Sequence, residues 1–199
     1  MENNENGRSM VEMLGVLAII GVLSAGALAG YSKAMFRHKV NQTIDIFQGV
    51  LQRFQELDQK GWGRDISVGN TSDEKTTVDI VKYGLMDSCT ETVGFANYPA
   101  CQLPIGSLWM DFLEEDYIFG EFVIKFNDAN SCIAFSSINW VNALPIDWWR
   151  PNGYILISGQ PIYAPNWDED SVTSVNMTDV IAGCQSTNPY FYLVIRNEY

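Results

Sequence analysis

From Met13 to Ser32 the chain runs for twenty residues without a single charge. At about 1.5 Å per residue, a helix of that length spans roughly 30 Å, the thickness of a bilayer's hydrocarbon core. One carboxylate, Glu12, stands at its leading end. An acidic group on such a boundary is costly in lipid unless it finds a partner.

The helical pattern continues past the apolar run. Val40, Ile44, Phe47, Leu51 and Phe54 step by four, three, four and three, which places them in one narrow stripe. Asn41, Gln42, Asp45, Gln48, Gln52 and Glu56 cover the rest, so the helix begins apolar all round and becomes amphipathic. Gly61-Trp62-Gly63 ends it, because glycine suits the left-handed cap position. A helix from Ser9 to Lys60 would be roughly 75–80 Å long. Half of it would protrude from any head domain, and a bare apolar protrusion needs lipid or identical partners. Gly15, Gly21, Gly26 and Gly30 are expected to thin one side, allowing close helix approach or local bending.

Gly7, a short step, and Glu12 opening an apolar helix resemble the class III signal and N-terminal helix of type IV pilins and their pseudopilin relatives. The resemblance is close over residues 1–35 and looser over the next stretch of helix. It implies a polar leader over residues 1–7, cleavage by a prepilin peptidase between Gly7 and Arg8, and a hydrophobic assembly helix over 8–35. Residues 36–199 would be a globular head that includes the amphipathic half of the helix. The leader carries Glu2 and Glu5 where such leaders usually carry Lys or Arg, and Arg8 stands where Phe or Met is usual. In the family reading Glu12 pairs with the α-amine of the next subunit's Arg8 and sets register, since an unpaired buried carboxylate costs several kcal/mol, on the order of 3–5. The bland alternative is a glutamate favoured by the positive helix N-terminus, worth about 0.3–1 kcal/mol.

Four cysteines, Cys89, Cys101, Cys132 and Cys184, all follow the apolar run, and none forms a CxxC pair. With His38 the single histidine, zinc ligands are too few, and the even count reads as two disulfides in an oxidising compartment. Three pairings are open. Cys89–Cys101 and Cys132–Cys184 are favoured: the first closes a short loop through Pro99, and the second staples a central strand to the C-terminal part. Buried free thiols are the competing reading. Lys33, Arg37 and Lys39 flank the run on its C-terminal side, against Arg8 on the other, and the positive-inside bias would keep that side cytoplasmic. The cysteines and the resemblance oppose this and put the head outside.

Beyond the helix, Thr71 and Glu74 fit a capping box opening a short helix towards Gly84, and Leu108–Glu115 reads as a further short helix. Strand signals cover Tyr117–Phe126, Ser131–Ile138, Tyr154–Ser158 and Tyr190–Arg196, with Asn127–Asn130 as a hairpin turn. Trp140–Gly153 and Gly159–Ser174 read as long connections, and Thr178–Gly183 as one helical turn. The expected fold is therefore α+β, a long N-terminal helix packed on an antiparallel sheet of about four strands.

The net charge of −12, with no basic run, argues against a general grip on nucleic acid. One histidine beside the apolar run leaves no Ser–His–Asp set, and no glycine-rich phosphate loop follows a strand. An enzyme is not expected, nor a cofactor. Some relatives of the resembled family bind calcium near the C-terminal sheet, and Asp168 and Asp170 offer oxygen ligands on a loop. No spaced calcium-loop pattern supports them, so solvated acidic surface is the preferred reading and no metal is expected. Trp140, Trp148, Trp149, Trp167, Tyr190, Tyr192 and Tyr199 form either a sugar-binding or membrane-contact face, or core and edge filling, the latter preferred. The functional expectation is a structural subunit of a type IV pilus or related filament. It would start in the bacterial inner membrane, polymerise with identical or homologous pilin subunits, and finish in an extracellular filament whose heads set adhesion. The alternatives are a single-span anchored binding domain that recognises carbohydrate or protein without polymerising, and a secreted domain released by cleavage near Ala29.

Overall fold

The computed structural model describes residues 10–60, 76–77, 84–86, 100–112, 118–143, 153–164 and 174–196. Two compact units emerge, Met1–Lys39 and Val40–Tyr199. Helix α1 runs unbroken from Met10 to Gln59. Strands β1 (Thr76–Thr77), β2 (Cys101–Leu103), β3 (Gly106–Phe112) and β4 (Ile118–Phe126) follow. Two short helices come next, α2 (Ala129–Ser136) and α3 (Trp140–Ala143), then β5 (Tyr154–Ile157), β6 (Gln160–Tyr163), helix α4 (Met177–Cys184) and β7 (Tyr190–Arg196). The fold is α+β, as expected, but the sheet is wider than about four strands. Among the described residues, seven strands occupy six positions in the order β1-β3-β4-β7-β5-β6, because β1 and β2 both pair along β3. All pairings are antiparallel.

Two rungs of the ladder build the core in the second unit. Leu108, Ile124, Phe191 and Ile157 lie side by side across β3, β4, β7 and β5, and Met110, Phe122, Leu193 and Ile155 form the next rung on the same face. All eight are buried. Onto this face α1 lays Val40, Phe47, Val50, Leu51 and Phe54. Phe47 is the hub. Its ring stands edge-on to those of Phe122, Phe135, Trp140 and Phe191, with centroids 5.4–6.1 Å apart. Such pairs contribute about 0.5–1.5 kcal/mol beyond burial alone. Ile44, expected in the stripe, is only half-buried, and Thr43 is buried in its stead. At about 100° per residue, Thr43 falls roughly 40° from Phe47 around the helix and Ile44 roughly 60° on the other side, so the true stripe is centred slightly off the expected one.

Three expected elements change type. Leu108–Glu115 was expected as a helix, yet Gly106–Phe112 is a strand. Leu108 and Met110 face the helices while Trp109 lies on the opposite face, and all three are buried, so no apolar-polar alternation marked the strand. Thr76–Thr77 is likewise a strand rather than part of a helix opened at Thr71. Ser131–Ile138 was expected as a strand, but Ala129–Ser136 is a helix. Asp128 is its cap: the carboxylate accepts from the Ser131 backbone N–H at 2.9 Å and from Ser131 Oγ at 2.8 Å. The residue assigned to a hairpin turn therefore starts a helix. Strands β4, β5 and β7 fall where strands were expected, β7 with the expected bounds. The expected turn at Thr178–Gly183 is α4, capped by Asn176, whose side chain accepts from the Thr178 N–H at 3.0 Å.

β6 was missed because it is four residues long and contains Pro161. It is tied to β5 by the two-residue turn Ser158-Gly159, whose φ angles are both positive (50° and 86°), as a tight hairpin with the strand's right-handed twist requires. Ser158 bears that conformation because its backbone N–H donates to the Tyr190 carbonyl at 2.8 Å and its Oγ accepts from the Tyr190 N–H at 3.2 Å. Cys132 and Cys184 form the favoured disulfide, but it links α2 to α4 rather than a strand to the C-terminal part. α4 lies so close to β5 that a Cβ on Gly183 would meet Ile157 at 2.9 Å. Cys101, at the start of β2, is disulfide-bonded, and its favoured partner Cys89 lies outside the described residues.

Candidate functional site

The first unit contributes one element, the stretch of α1 from Met10 to Lys39. Every side chain described along it is exposed except Phe36, which is half-buried. Among the described residues, twelve of the fourteen exposed large apolar residues lie between Met10 and Met35, so their uncovered apolar surface is concentrated on one helical segment. Val22 is 75% exposed and Leu28 69%. The segment is long and apolar enough to cross a membrane. Near its end Ser32 Oγ donates back to the Ala29 carbonyl at 3.2 Å, so this hydroxyl is satisfied inside the helix.

Glu12 sits in the first turn of α1 and is exposed. The helix dipole favours a carboxylate there. Gly7 and Arg8, the other two residues of the expected processing and assembly set, lie outside the described residues. The glycines divide differently from the expectation. At about 100° per residue, Gly15, Gly26 and Gly30 fall within an arc of roughly 60° that also contains Glu12, whereas Gly21 faces away from it. A Cβ at any of these four positions would meet nothing within 4 Å. No neighbour in this chain therefore requires glycine there, although each costs about 1 kcal/mol of helix stability relative to alanine. This grouping was legible from the sequence by rotating the helix, and needed no tertiary information.

Lys33, Arg37, His38 and Lys39 follow the apolar run on the same helix and are exposed. Of the aromatic residues considered for a binding face, Trp140 belongs to the core: it is 1% exposed and its indole N–H donates to the Phe135 carbonyl at 3.0 Å. Tyr190 and Tyr192 lie half-buried on the other face of the sheet, where Tyr190 packs edge-on to Trp109 at 6.0 Å. Burial raises the Tyr190 phenol above its ordinary pKa. Trp148, Trp149, Trp167 and Tyr199 lie outside the described residues, as do Asp168 and Asp170. Among the described residues no group of three or more His, Cys, Asp or Glu side chains is placed to hold a metal ion.

A cleft of about 430 Å³ opens in the second unit, between Asp45, Ile46, Gly49, Val50 and Arg53 on α1 and Leu85–Met86. Its polar groups are one carboxylate and one guanidinium, and Arg53 Nη1 donates to the Gly84 carbonyl at 3.3 Å and the Leu85 carbonyl at 3.5 Å. That arrangement ties a connecting segment to the helix.

Compared with protein-family models, characterised proteins and solved structures, the chain finds no match.

Proposed function

We propose that this protein is a structural subunit of a type IV pilus or a related filament, assembled through the N-terminal part of α1. The observation that carries the reading is the uncovered apolar helix, Met13 to Ser32, opened by Glu12. Apolar area left in water costs about 25 cal/mol per Å², so a segment exposed on every side is unstable as a free surface. It is covered either by lipid or by other copies, and a filament subunit uses both in turn. Before assembly the helix spans the bacterial inner membrane. After cleavage between Gly7 and Arg8 by a prepilin peptidase, which also methylates the new amine, helices pack side by side in the filament. Glycines at 15, 26 and 30 let neighbouring backbones approach. Glu12 neutralises the α-amine of an adjacent copy's Arg8. The disulfide-stapled head faces outward and supplies the filament's surface.

The test is Glu12→Ala in cells that make the filament, scored by microscopy and membrane fractionation. Loss of filaments with membrane insertion intact is the expected result. Unchanged filaments would sink the role of Glu12. Intact mass of the mature chain is a second readout: a start at Arg8 supports processing, and retention of Met1 points to a static anchor.

A further inference from the structure

Between Glu12 and Asp45 the chain carries no carboxylate, and its charges are Lys33, Arg37 and Lys39. The remainder, residues 40–199, holds 8 Lys and Arg against 21 Asp and Glu, a net charge of −13. A local cationic surface therefore sits on an otherwise anionic protein, directly where the apolar run stops. Lys33 and Arg37 are one helical turn apart, separated by about 40° around the axis, and both are exposed. Tyr31, 65% exposed, precedes them, as aromatic residues do at the boundary between hydrocarbon and headgroups.

We propose that Lys33 and Arg37 together bind the phosphate of an anionic phospholipid headgroup while the helix is in the bilayer. The inference rests on the membrane-spanning stage of the reading above. With Met13–Ser32 in hydrocarbon, the next turn of helix lies at phosphate depth. Long basic side chains extend along the helix to reach that layer, the guanidinium forks onto two phosphate oxygens, and the ammonium adds a point charge. The acidic head is repelled by the same lipids, so the pair, not the head, sets the preference. Each cation near an anionic surface favours binding by about fivefold.

The experiment uses the full chain in bilayer discs containing equal phosphatidylglycerol and phosphatidylcholine, with retained lipids counted by native mass spectrometry. Wild type should retain phosphatidylglycerol at least about fivefold over phosphatidylcholine, and Lys33→Gln with Arg37→Gln should retain the two equally. Glutamine is a good helix former, so the double variant keeps the exposed helix. Lys39→Gln, on another side of the helix, should behave as wild type. Equal retention by inserted wild type overturns the headgroup site and leaves the anchor intact. Failure to float with vesicles of phosphatidylcholine alone overturns the membrane reading and the headgroup site with it. A double variant that loses self-association but keeps its lipid preference would show that the pair contacts another copy, which also overturns the proposal.

Discussion

Phe47 on α1 meets Phe122 on β4 edge to face, with ring centroids 6.1 Å apart and planes at 86°. This contact and those of Phe47 with Phe135, Trp140 and Phe191 join the amphipathic half of the helix, the sheet and α2 in one aromatic cluster. Phe47→Ala would remove the shared member of all four pairs and leave a cavity. The expected cost is about 3–5 kcal/mol. Denaturant unfolding of the detergent-solubilised chain, followed by near-ultraviolet circular dichroism, measures it. Phe36→Ala, half-buried in the other unit, should leave the midpoint nearly unchanged.

Asp128 satisfies two donors at the start of α2. Asp128→Ala should destabilise the head by about 0.5–2 kcal/mol, whereas Asp128→Asn should lose much less, because asparagine caps as well as aspartate. A pair of variants with equal stability would contradict the cap.

The Cys132–Cys184 bond closes a loop of 52 residues. In the loop-entropy account, opening it costs about 4 kcal/mol. Cys132→Ala with Cys184→Ala should lower stability by roughly that amount, read as a shift in the denaturant midpoint. Both cysteines are fully buried, so mild reductant should leave the bond intact in the folded protein until unfolding exposes it.

Tyr190 makes a pH-dependent contribution. Burial raises its pKa above the ordinary value of 10.0. Above that value the unfolded chain has lost the phenolic proton while the folded chain still holds it, so unfolding releases a proton and becomes more favourable as pH rises. The stability associated with Tyr190 is present below about pH 10 and is lost as pH climbs through the folded pKa. Tyr190→Phe should flatten the alkaline fall in unfolding midpoint relative to wild type. Identical pH profiles would remove this contribution.

Local sequence by itself determined the first fifty residues of structure. An uncharged run followed by an apolar stripe favours helix, the state that satisfies its own backbone within one segment and also presents a sticky face to a sheet. It also determined β4, β5 and β7, where branched and aromatic residues cluster between turn signals. Only the tertiary structure decided the state of Ser131–Ile138. Its apolar residues suit a strand, but Asp128 caps a helix, Cys132 must reach Cys184, and Phe135 must reach Phe47, and only the helix meets all three. Tertiary structure likewise made β3 a strand, since burial on both faces erased the alternation that would have announced it. It turned Trp140 inward, because the Phe135 carbonyl offered its indole a buried acceptor. The uncovered helix was legible because a chain cannot hide an apolar run of that length from its own composition. The head was not, because its residues take their conformation from partners far away in sequence.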